Sequence, residues 1–545
     1  MAATLTQAVE GVDRQQITLF PECLEDWICE DNHPSSAASA FSHLVVVRGL
    51  HGGRIGFGDC GRGLRGGGGV SVASLLPPWS MPYGCVLDLL KDDDDMTKVH
   101  LQRRLGFKES FAIVVGSIIG TGVFLKTAVM AQDAGPPLYV LLAWLVAGVL
   151  SFMGALTYAE LSCLFPAAGG EYVFLREAYG PLTGFLFGWT RFWIASPGSI
   201  AAYAIGSVTF LESFLPMANH RIEMAIAIIV FFTVLNCFSV HFGGGVQAVM
   251  TAVKIIMIFG LAASILAFGA GTSWHHLSDA ASSARWKSWS GFGSAVLAAL
   301  WAFDGWNNLP MAAGEIRDPD RVIPQSLTWG LIAVLFLYAG ANLAYFYALP
   351  FEEVVNSHST LYPDALPVAT KAALQSFGGA AVAILSLAFV FSALGAMNGT
   401  ILTGARVPYA MARDGLMWSW LGEANARTHS PVGSTVVQGL WACVLAASGT
   451  FDQLTDCIVF ASWIFYALNT FSLFYFRRKL PAPAYRTPAF PWPPVIFIAC
   501  AVLLIVNTLW TTPNESLAGL GLIAVGIPAY FLFRNYRSPT KEIDR

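Results

Sequence analysis

The sequence is short of charged residues. Asp, Glu, Lys and Arg make up 12% of its 545 residues, whereas hydrophobic residues make up 55% and the mean hydropathy is +0.57. Soluble domains carry about twice that share of charge. The composition therefore excludes an ordinary soluble globular protein and predicts a polytopic protein embedded in a lipid bilayer. Nothing in it suggests nucleic acid as a partner.

Catalytic and metal-binding motifs are also missing. The nine cysteines form no CxxC or CxxH pair, so neither a zinc site nor a disulfide framework is indicated. No GxSxG, HExxH or P-loop motif occurs in the apolar part, and Gly120-x-Gly122 is not preceded by a strand, as a dinucleotide fold would require. We therefore expect no catalytic residue, no metal and no cofactor. An intramembrane enzyme is a poorly supported alternative.

Residues 1–95 lack the sustained hydrophobic periodicity of regular structure. They combine isolated short apolar runs with a glycine tract at Gly66–Gly69 and an acidic run at Asp92–Asp95. We expect this extension to be mostly disordered. It also lacks the ordered regions of a signal peptide, and one hypothesis is that translation starts at Met96.

Apolar segments alternate with short polar loops from residue 105 onward, and each is compatible with a crossing of about 20 residues. The predicted spans are 107–131, 137–165, 181–213, 222–240, 244–269, 291–313, 326–349, 372–410, 432–449, 453–477, 492–510 and 517–535. Lys and Arg concentrate in loops that are cytoplasmic if the N-terminus is inside. The prediction is a multi-pass protein of the plasma or inner membrane with both termini in the cytoplasm.

The first span contains a glycine-rich stretch, Gly116–Gly122, where a membrane helix should be most regular. Lipid cannot satisfy the backbone N–H groups that a break exposes, so the break must face protein or a ligand. Gly116-xxx-Gly120 also fits close helix packing. The sixth span, however, repeats the oddity at Trp301–Asn308, where an acid, a glycine and two amides interrupt an apolar run.

Interrupted helices five spans apart predict an inverted repeat of five plus five helices that binds its ligand at the midplane. We expect repeats at about 105–270 and 290–478, with two accessory helices at about 490–536. The N–H groups of Gly120, Thr121 and Gly122 lie at a half-helix N-terminus and suit a carboxylate. Carbonyls near Trp301–Asp304 suit an ammonium group. A free amino acid supplies both.

Three charged positions leave alternatives open. Asp304 is costly at this depth, which favours a functional role, although it could merely cap the broken helix or bond Asn307. Lys254 could reach an interface or point inward to the carbonyls freed in span one. Arg191 is expected to extend to the inner interface. The segment Tyr158–Tyr172 could be a gate or a plain turn.

Several motifs, in this order, resemble the amino acid–polyamine–organocation superfamily and especially its L-type amino acid transporter branch and bacterial relatives. They are GSIIGTGVF at 116–124, YAELSCLFPAAGGEY at 158–172, WAFDGWN at 301–307, GEIRDPDRVIP at 314–324 and MNGTILTGAR at 397–406. The resemblance covers about residues 100–537. It implies sodium-independent amino acid transport, frequently by obligatory exchange.

The resemblance also implies site residues. The unwound part of span one and the middle of span six would bind substrate, Trp301 would be the gating aromatic, Lys254 would replace a sodium ion, and Asn398 and Phe465 would line the side-chain pocket. The implied binding residues are Ile118, Ile119, Gly120, Thr121, Gly122, Trp301, Ala302, Phe303, Asp304, Gly305, Asn398 and Phe465.

Two departures from the family pattern matter. The outer loop Glu212–Glu223 has no cysteine, so we expect no disulfide-linked heavy subunit. Asp304 stands where large-neutral-selective members carry a small residue, whereas members that accept cationic amino acids show a similar aspartate. One hypothesis is that cationic amino acids are accepted beside neutral ones, but bacterial-type relatives also show this sequence. The sequence thus predicts an amino acid exchanger that works by alternating access. A proton-coupled amino acid or polyamine symporter and an amino acid sensor without flux are the alternatives.

Overall fold

The computed structural model describes residues 45–48, 55–58, 101–211, 220–238, 240–277, 288–359, 361–362, 365–448, 451–511 and 513–535. The chain divides into two units, residues 1–96 and 97–545. In the first unit, β1 (Val45–Arg48) pairs antiparallel with β2 (Ile55–Gly58), with Val45 opposite Gly58. The rest of the predicted disordered extension lies outside the described residues.

The second unit is built from helices. They are α1 (Phe107–Ile118), α2 (Gly122–Ala134), α3 (Pro137–Leu164), α4 (Glu171–Tyr179), α5 (Pro181–Thr190), a π-helical turn (Arg191–Ala195), α6 (Ser196–Leu211), α7 (Arg221–Phe238), α8 (Val240–Phe268), α9 (Trp289–Phe303), α10 (Asn308–Met311), a 3-10 turn (Ala313–Glu315), α11 (Pro319–Ala348), α12 (Phe351–Val355), α13 (Val368–Phe377), α14 (Gly379–Gly404), α15 (Arg406–Arg413), a 3-10 turn (Ser419–Gly422), α16 (Val432–Ser448), α17 (Phe451–Lys479), α18 (Trp492–Thr511) and α19 (Pro513–Asn535).

These helices occupy all twelve predicted spans. Within the described residues, nine helical stretches are long and apolar enough to cross a membrane, and Val432–Ser448 is a shorter apolar helix. The predicted all-α polytopic fold is confirmed. The start of one span was wrong: Gly378, with φ of +74°, ends α13, so the eighth spanning helix begins at Gly379 rather than at 372. The apolar sequence runs on through this turn and hides it.

Small residues set how closely the helices pack, as is usual in membranes. A methyl group on Gly330 of α11 would come within 2.7 Å of Val114 on α1, and one on Gly154 of α3 within 2.5 Å of the Phe497 ring on α18. The helix α9 packs against α2 and α3, and α1 packs against α8, α11 and α14. The two interrupted helices therefore lie inside the bundle, where protein can satisfy their backbone.

The outward faces carry large apolar side chains, as a lipid environment requires. Ile256 and Phe259 on α8 are 68% and 65% exposed, and Leu503 on α18 is 70% exposed. Burying these side chains in lipid is favourable by about 1.5–3 kcal/mol each relative to water. The interior combines buried aromatic and aliphatic side chains with the small and polar residues near the helix breaks.

Candidate functional site

The first predicted break is present between α1 and α2. The helix α1 ends at Ile118, Ile119 has ψ of 90°, and α2 begins at Gly122 with Thr121 at its N-cap. Because Gly122 and Val123 are the first residues of α2, their N–H groups have no acceptor within the helix. They form a half-helix N-terminus of the kind that binds anions.

Side chains from other helices donate hydrogen bonds to the carbonyl groups of this break. Lys254 of α8 donates through Nζ to the carbonyl oxygens of Gly116 (2.8 Å) and Ile119 (2.7 Å). Ser392 of α14 donates to the oxygens of Ile119 (3.1 Å) and Gly120 (2.9 Å). Lys254 is buried and points inward, so the alternative that it reaches an interface is excluded.

The second break separates α9, which ends at Phe303, from α10, which begins at Asn308. Gly305 has φ of +118°, and a Cβ there would lie 2.8 Å from the backbone of Ser117. Only glycine fits this conformation at this distance. The hydroxyl of Tyr338 on α11 lies 3.1 Å from both the Ile118 and the Ala302 carbonyl oxygens. The two breaks are therefore in contact and share a partner.

A cavity of about 110 Å³ lies between the breaks. This is smaller than the roughly 300–1,000 Å³ of sites for drug-sized ligands, which suits a small metabolite. Eight of the predicted binding residues line it: Ile118, Gly120, Thr121, Gly122, Trp301, Ala302, Asp304 and Gly305. At the rim, the Lys126 ammonium lies 4.5 Å from the centroid of the Trp301 ring.

Two other predicted residues support the cavity from behind. Ile119 is fully buried, and its carbonyl is bonded to Lys254 and Ser392. Phe303 is fully buried and packs edge-on against Trp144, with ring centroids 6.0 Å apart. Both residues lie in the broken segments, but neither lines the cavity.

Asn398 and Phe465 do not line the cavity. Asn398 donates to Gln247 Oε1 (2.8 Å) and accepts from Asn236 Nδ2 (2.9 Å). Phe465 packs edge-on against Phe187 at 5.4 Å. A buried amide takes whatever amide partners lie beside it, so Asn398 joins α14 to α7 and α8 rather than reaching a ligand.

Asp304 lies at the end of α9 and contacts the cavity. Its Oδ1 accepts a hydrogen bond from the Tyr466 hydroxyl of α17 (2.9 Å). The alternative in which it bonds the Asn307 amide is not seen, because that amide donates to Glu171 Oε2 (3.1 Å). Asp304 thus brings a negative charge to the cavity and ties the second break to α17.

Glu171 accepts hydrogen bonds from three side chains and forms with them a buried polar cluster beside the second break, the Glu171 cluster. The Tyr158 hydroxyl (2.8 Å) and the Asn469 amide (3.4 Å) donate to its Oε1, in addition to the bond from Asn307. Burial raises the pKa of Glu171, which lies in the short helix α4 between spans, to about 7. The segment Tyr158–Tyr172 is therefore joined to the second break and is more than a plain turn.

Two ion pairs account for other residues of the family-like motifs. Arg406 forms a buried ion pair with Glu315, with Nε 2.5 Å from Oε1. Arg477 binds both carboxylate oxygens of Glu160, at 2.7 and 2.6 Å. The first pair joins α15 to the 3-10 turn Ala313–Glu315 and the second joins α17 to α3; none of the four residues lines the cavity.

Arg191 is the main residue that sequence reasoning misplaced. It lines the cavity together with Ser199 and Tyr203, and it donates through Nη2 to Asn308 Oδ1. The expectation that it extends to the interface was therefore wrong. A charge within an apolar segment, the argument applied to Asp304, was the one signal that could have found it.

Comparison with known proteins agrees with this geometry. The family model described as amino acid permease matches residues 105–532. The chain is 30% identical over 436 residues to the serine/threonine exchanger SteT of Bacillus subtilis (strain 168), covering 79% of this chain and 97% of that protein. It is 30% identical over 459 residues to the b(0,+)-type amino acid transporter 1 of Mus musculus, covering 81% and 90%. It is 27% identical over 452 residues to the cystine/glutamate transporter of Homo sapiens, covering 81% and 87%. The chain belongs to the amino acid permease family, within the L-type branch of the amino acid–polyamine–organocation superfamily.

Proposed function

We propose that this permease exchanges amino acids across the membrane by alternating access and without sodium. The observation that carries the proposal is the cavity between two touching helix breaks, lined by an N-terminal half-helix end on one side and by Asp304 on the other. A zwitterion fits this arrangement, since its carboxylate suits the α2 N-terminus and its ammonium suits the end of α9.

The segment Ile118–Gly122 would bind the substrate backbone together with the Trp301–Gly305 segment, and Trp301 would close the outer side. Because Lys254 already donates to the carbonyls of Gly116 and Ile119, a fixed cation lies where a transported one would otherwise bind. This supports sodium independence.

The substrates we propose are neutral amino acids, with Asp304 favouring acceptance of cationic ones. The relatives carry printed names of exchangers and transporters for different substrates, serine and threonine in one case and cystine and glutamate in another. Since the contacts at the first break recognise groups common to all amino acids, side chains around the second break would set the choice.

The protein would lie in the plasma or inner membrane with both termini in the cytoplasm. Arg477, Arg478 and Lys479 at the end of α17 support this orientation, because cationic residues concentrate on the cytoplasmic side. The absence of a cysteine from the sequence of the loop 212–223 supports a transporter without a disulfide-linked heavy subunit.

Proteoliposomes test the function directly. Uptake of a labelled amino acid should require an unlabelled amino acid inside the vesicles and should be unchanged when sodium is replaced by choline. Uptake into vesicles that contain no amino acid, or loss of uptake without sodium, would contradict the proposal. Binding without flux would instead identify a sensor.

A proton-coupled symporter is the second candidate, and the buried carboxyl of Glu171 favours it because its pKa of about 7 allows it to titrate near neutral pH. The same vesicles distinguish the two. An imposed pH gradient drives accumulation by a symporter without internal substrate, whereas an exchanger does not accumulate substrate under that condition.

A further inference from the structure

Arg191 lines the cavity, and its guanidinium forms no ion pair with a carboxylate among the described residues. Arg191 begins the π-helical turn Arg191–Ala195 in the third span, and its side chain lines the cavity with Asp304 and Asn308. A π-helical turn inside an α-helix is frequent at functional sites because it redirects side chains out of the regular ladder.

The hydrogen bonds of Arg191 are incomplete. A guanidinium has five N–H donors in a fixed fork. Nη2 donates to Asn308 Oδ1, whereas Nε is buried and has no acceptor among the described residues. An unpaired buried donor costs about 1–3 kcal/mol, and more when it is charged. The guanidinium therefore has N–H donors left for an acceptor atom on a molecule bound in the cavity that Arg191 lines.

Charges around Arg191 restrict which acceptor it takes. Asp304 and Glu171 both interact electrostatically with Arg191, but neither forms an ion pair with it in the described part of the chain. Asp304 would repel a carboxylate on the substrate side chain, and Arg191 would repel an ammonium or guanidinium group. A neutral oxygen avoids both repulsions and still accepts a hydrogen bond from the guanidinium.

We infer that Arg191 determines side-chain specificity: its guanidinium donates a hydrogen bond to an oxygen of the substrate side chain, which selects neutral hydroxyl- and amide-bearing amino acids and disfavours cationic ones. This inference rests on the proposed exchange of amino acids. It assigns Arg191 a role opposed to that of Asp304, so that the acceptance of cations depends on the balance between these two residues.

The competing explanation is that Arg191 only holds Asn308 in place and so stabilises the second break. Exchange rates of serine, glutamine, leucine and arginine, measured in proteoliposomes, separate the two. In Arg191→Met, the rate for serine relative to leucine should fall about tenfold or more, because leucine has no side-chain acceptor to lose. The rate for arginine relative to leucine should rise. Equal losses for all four substrates would overturn the inference.

Arg191→Lys separates charge from hydrogen bonding, since lysine keeps the positive charge but lacks the guanidinium fork. This variant should continue to disfavour arginine while losing the preference for serine and glutamine. If Arg191→Met exchanges nothing, Arg191→Lys decides the matter, and an unaltered serine-to-leucine ratio there would contradict the inference. Failure of the wild-type protein to exchange any amino acid would contradict the proposed function instead.

Discussion

The two helix breaks solve the same backbone problem in different ways. At the first break, Lys254, Ser392 and Tyr338 from three other helices bond the carbonyl groups, and the cavity side presents mostly backbone. At the second break, Asp304 carries charge to the cavity and Asn307 bonds the Glu171 cluster. The first break is thus held by donors from neighbouring helices, whereas the second is hydrogen-bonded to α17 and to the Glu171 cluster.

Under the proposed function, this difference would separate binding of the groups common to all amino acids from selection among their side chains. A frame held by buried donors can recognise only groups common to all substrates. Under the proposed function, charged and amide side chains at the second break would distinguish one substrate from another, and their hydrogen bonds join them to α4 and α17. Changes at the first break should therefore lower all exchange rates together, and changes at the second should alter their ratios.

The largest effect is expected from Gly122→Ala. The added methyl group would lie 2.5 Å from Cβ and 2.9 Å from Cα of Ala302, so it would push the two breaks apart. Overpacking of this kind costs about 1–3 kcal/mol, and exchange of every amino acid should fall about tenfold or more in vesicle assays. Gly340→Ala on α11 is the matched control, because its added Cβ finds nothing within 4 Å. A substrate-selective loss in Gly122→Ala would contradict the idea of a common frame.

An intermediate effect is expected from Asp304→Asn, which keeps the shape of the side chain and removes its charge. The exchange rate for arginine relative to leucine should fall roughly tenfold, equivalent to about 1.4 kcal/mol of lost charge attraction. Tyr466→Phe is the matched control, since it removes the hydrogen bond to Asp304 and leaves the carboxylate in place. It should shift the ratio less. Equal losses for leucine and arginine in Asp304→Asn would remove Asp304 from substrate selection.

Sequence reasoning located both breaks because their causes are local. Glycines at 116, 120 and 122 and the acid and amides at 304–308 are visible without knowledge of the neighbours. It did not place Arg191, in the third span, in the cavity. The π-helical turn that begins at Arg191 depends on the packing of the span and has no recognisable pattern in the sequence. The direction of Lys254 was likewise open to residue-level reasoning, because an amphipathic side chain follows whichever partner the fold supplies.

Asn398 does not line the cavity because side chains of neighbouring helices bond its amide. The family resemblance assigned Asn398 a place in the side-chain pocket, but amides at 236 and 247 on two neighbouring helices are near enough to satisfy it. Hydrogen-bond partners across more than a hundred residues of sequence are a property of the packed bundle. A single sequence therefore predicts which segments form the site better than which side chains complete it.

The smallest effect is expected from the ionisation of Glu171, whose hydrogen-bonded cluster adjoins the second break. Glu171 has its pKa raised from an ordinary 4.5 to about 7 by burial, so its ionised form destabilises the buried arrangement. The stability that this group contributes is complete below its ordinary pKa and is lost as the pH rises through about 7. Ionisation should therefore favour opening of the Glu171 cluster, and exchange should increase several-fold between pH 6 and 8.

Glu171→Gln stays neutral throughout this pH range and should give a flat pH profile, with substrate ratios unchanged, because Glu171 itself does not line the cavity. Glu177→Gln in the same short helix is the matched control, since Glu177 is exposed and paired with Arg176. It should keep the wild-type profile. If the pH dependence persists in Glu171→Gln, the titrating group is not Glu171 but a group in the cavity. The pH dependence and the substrate selection would then both arise in the cavity.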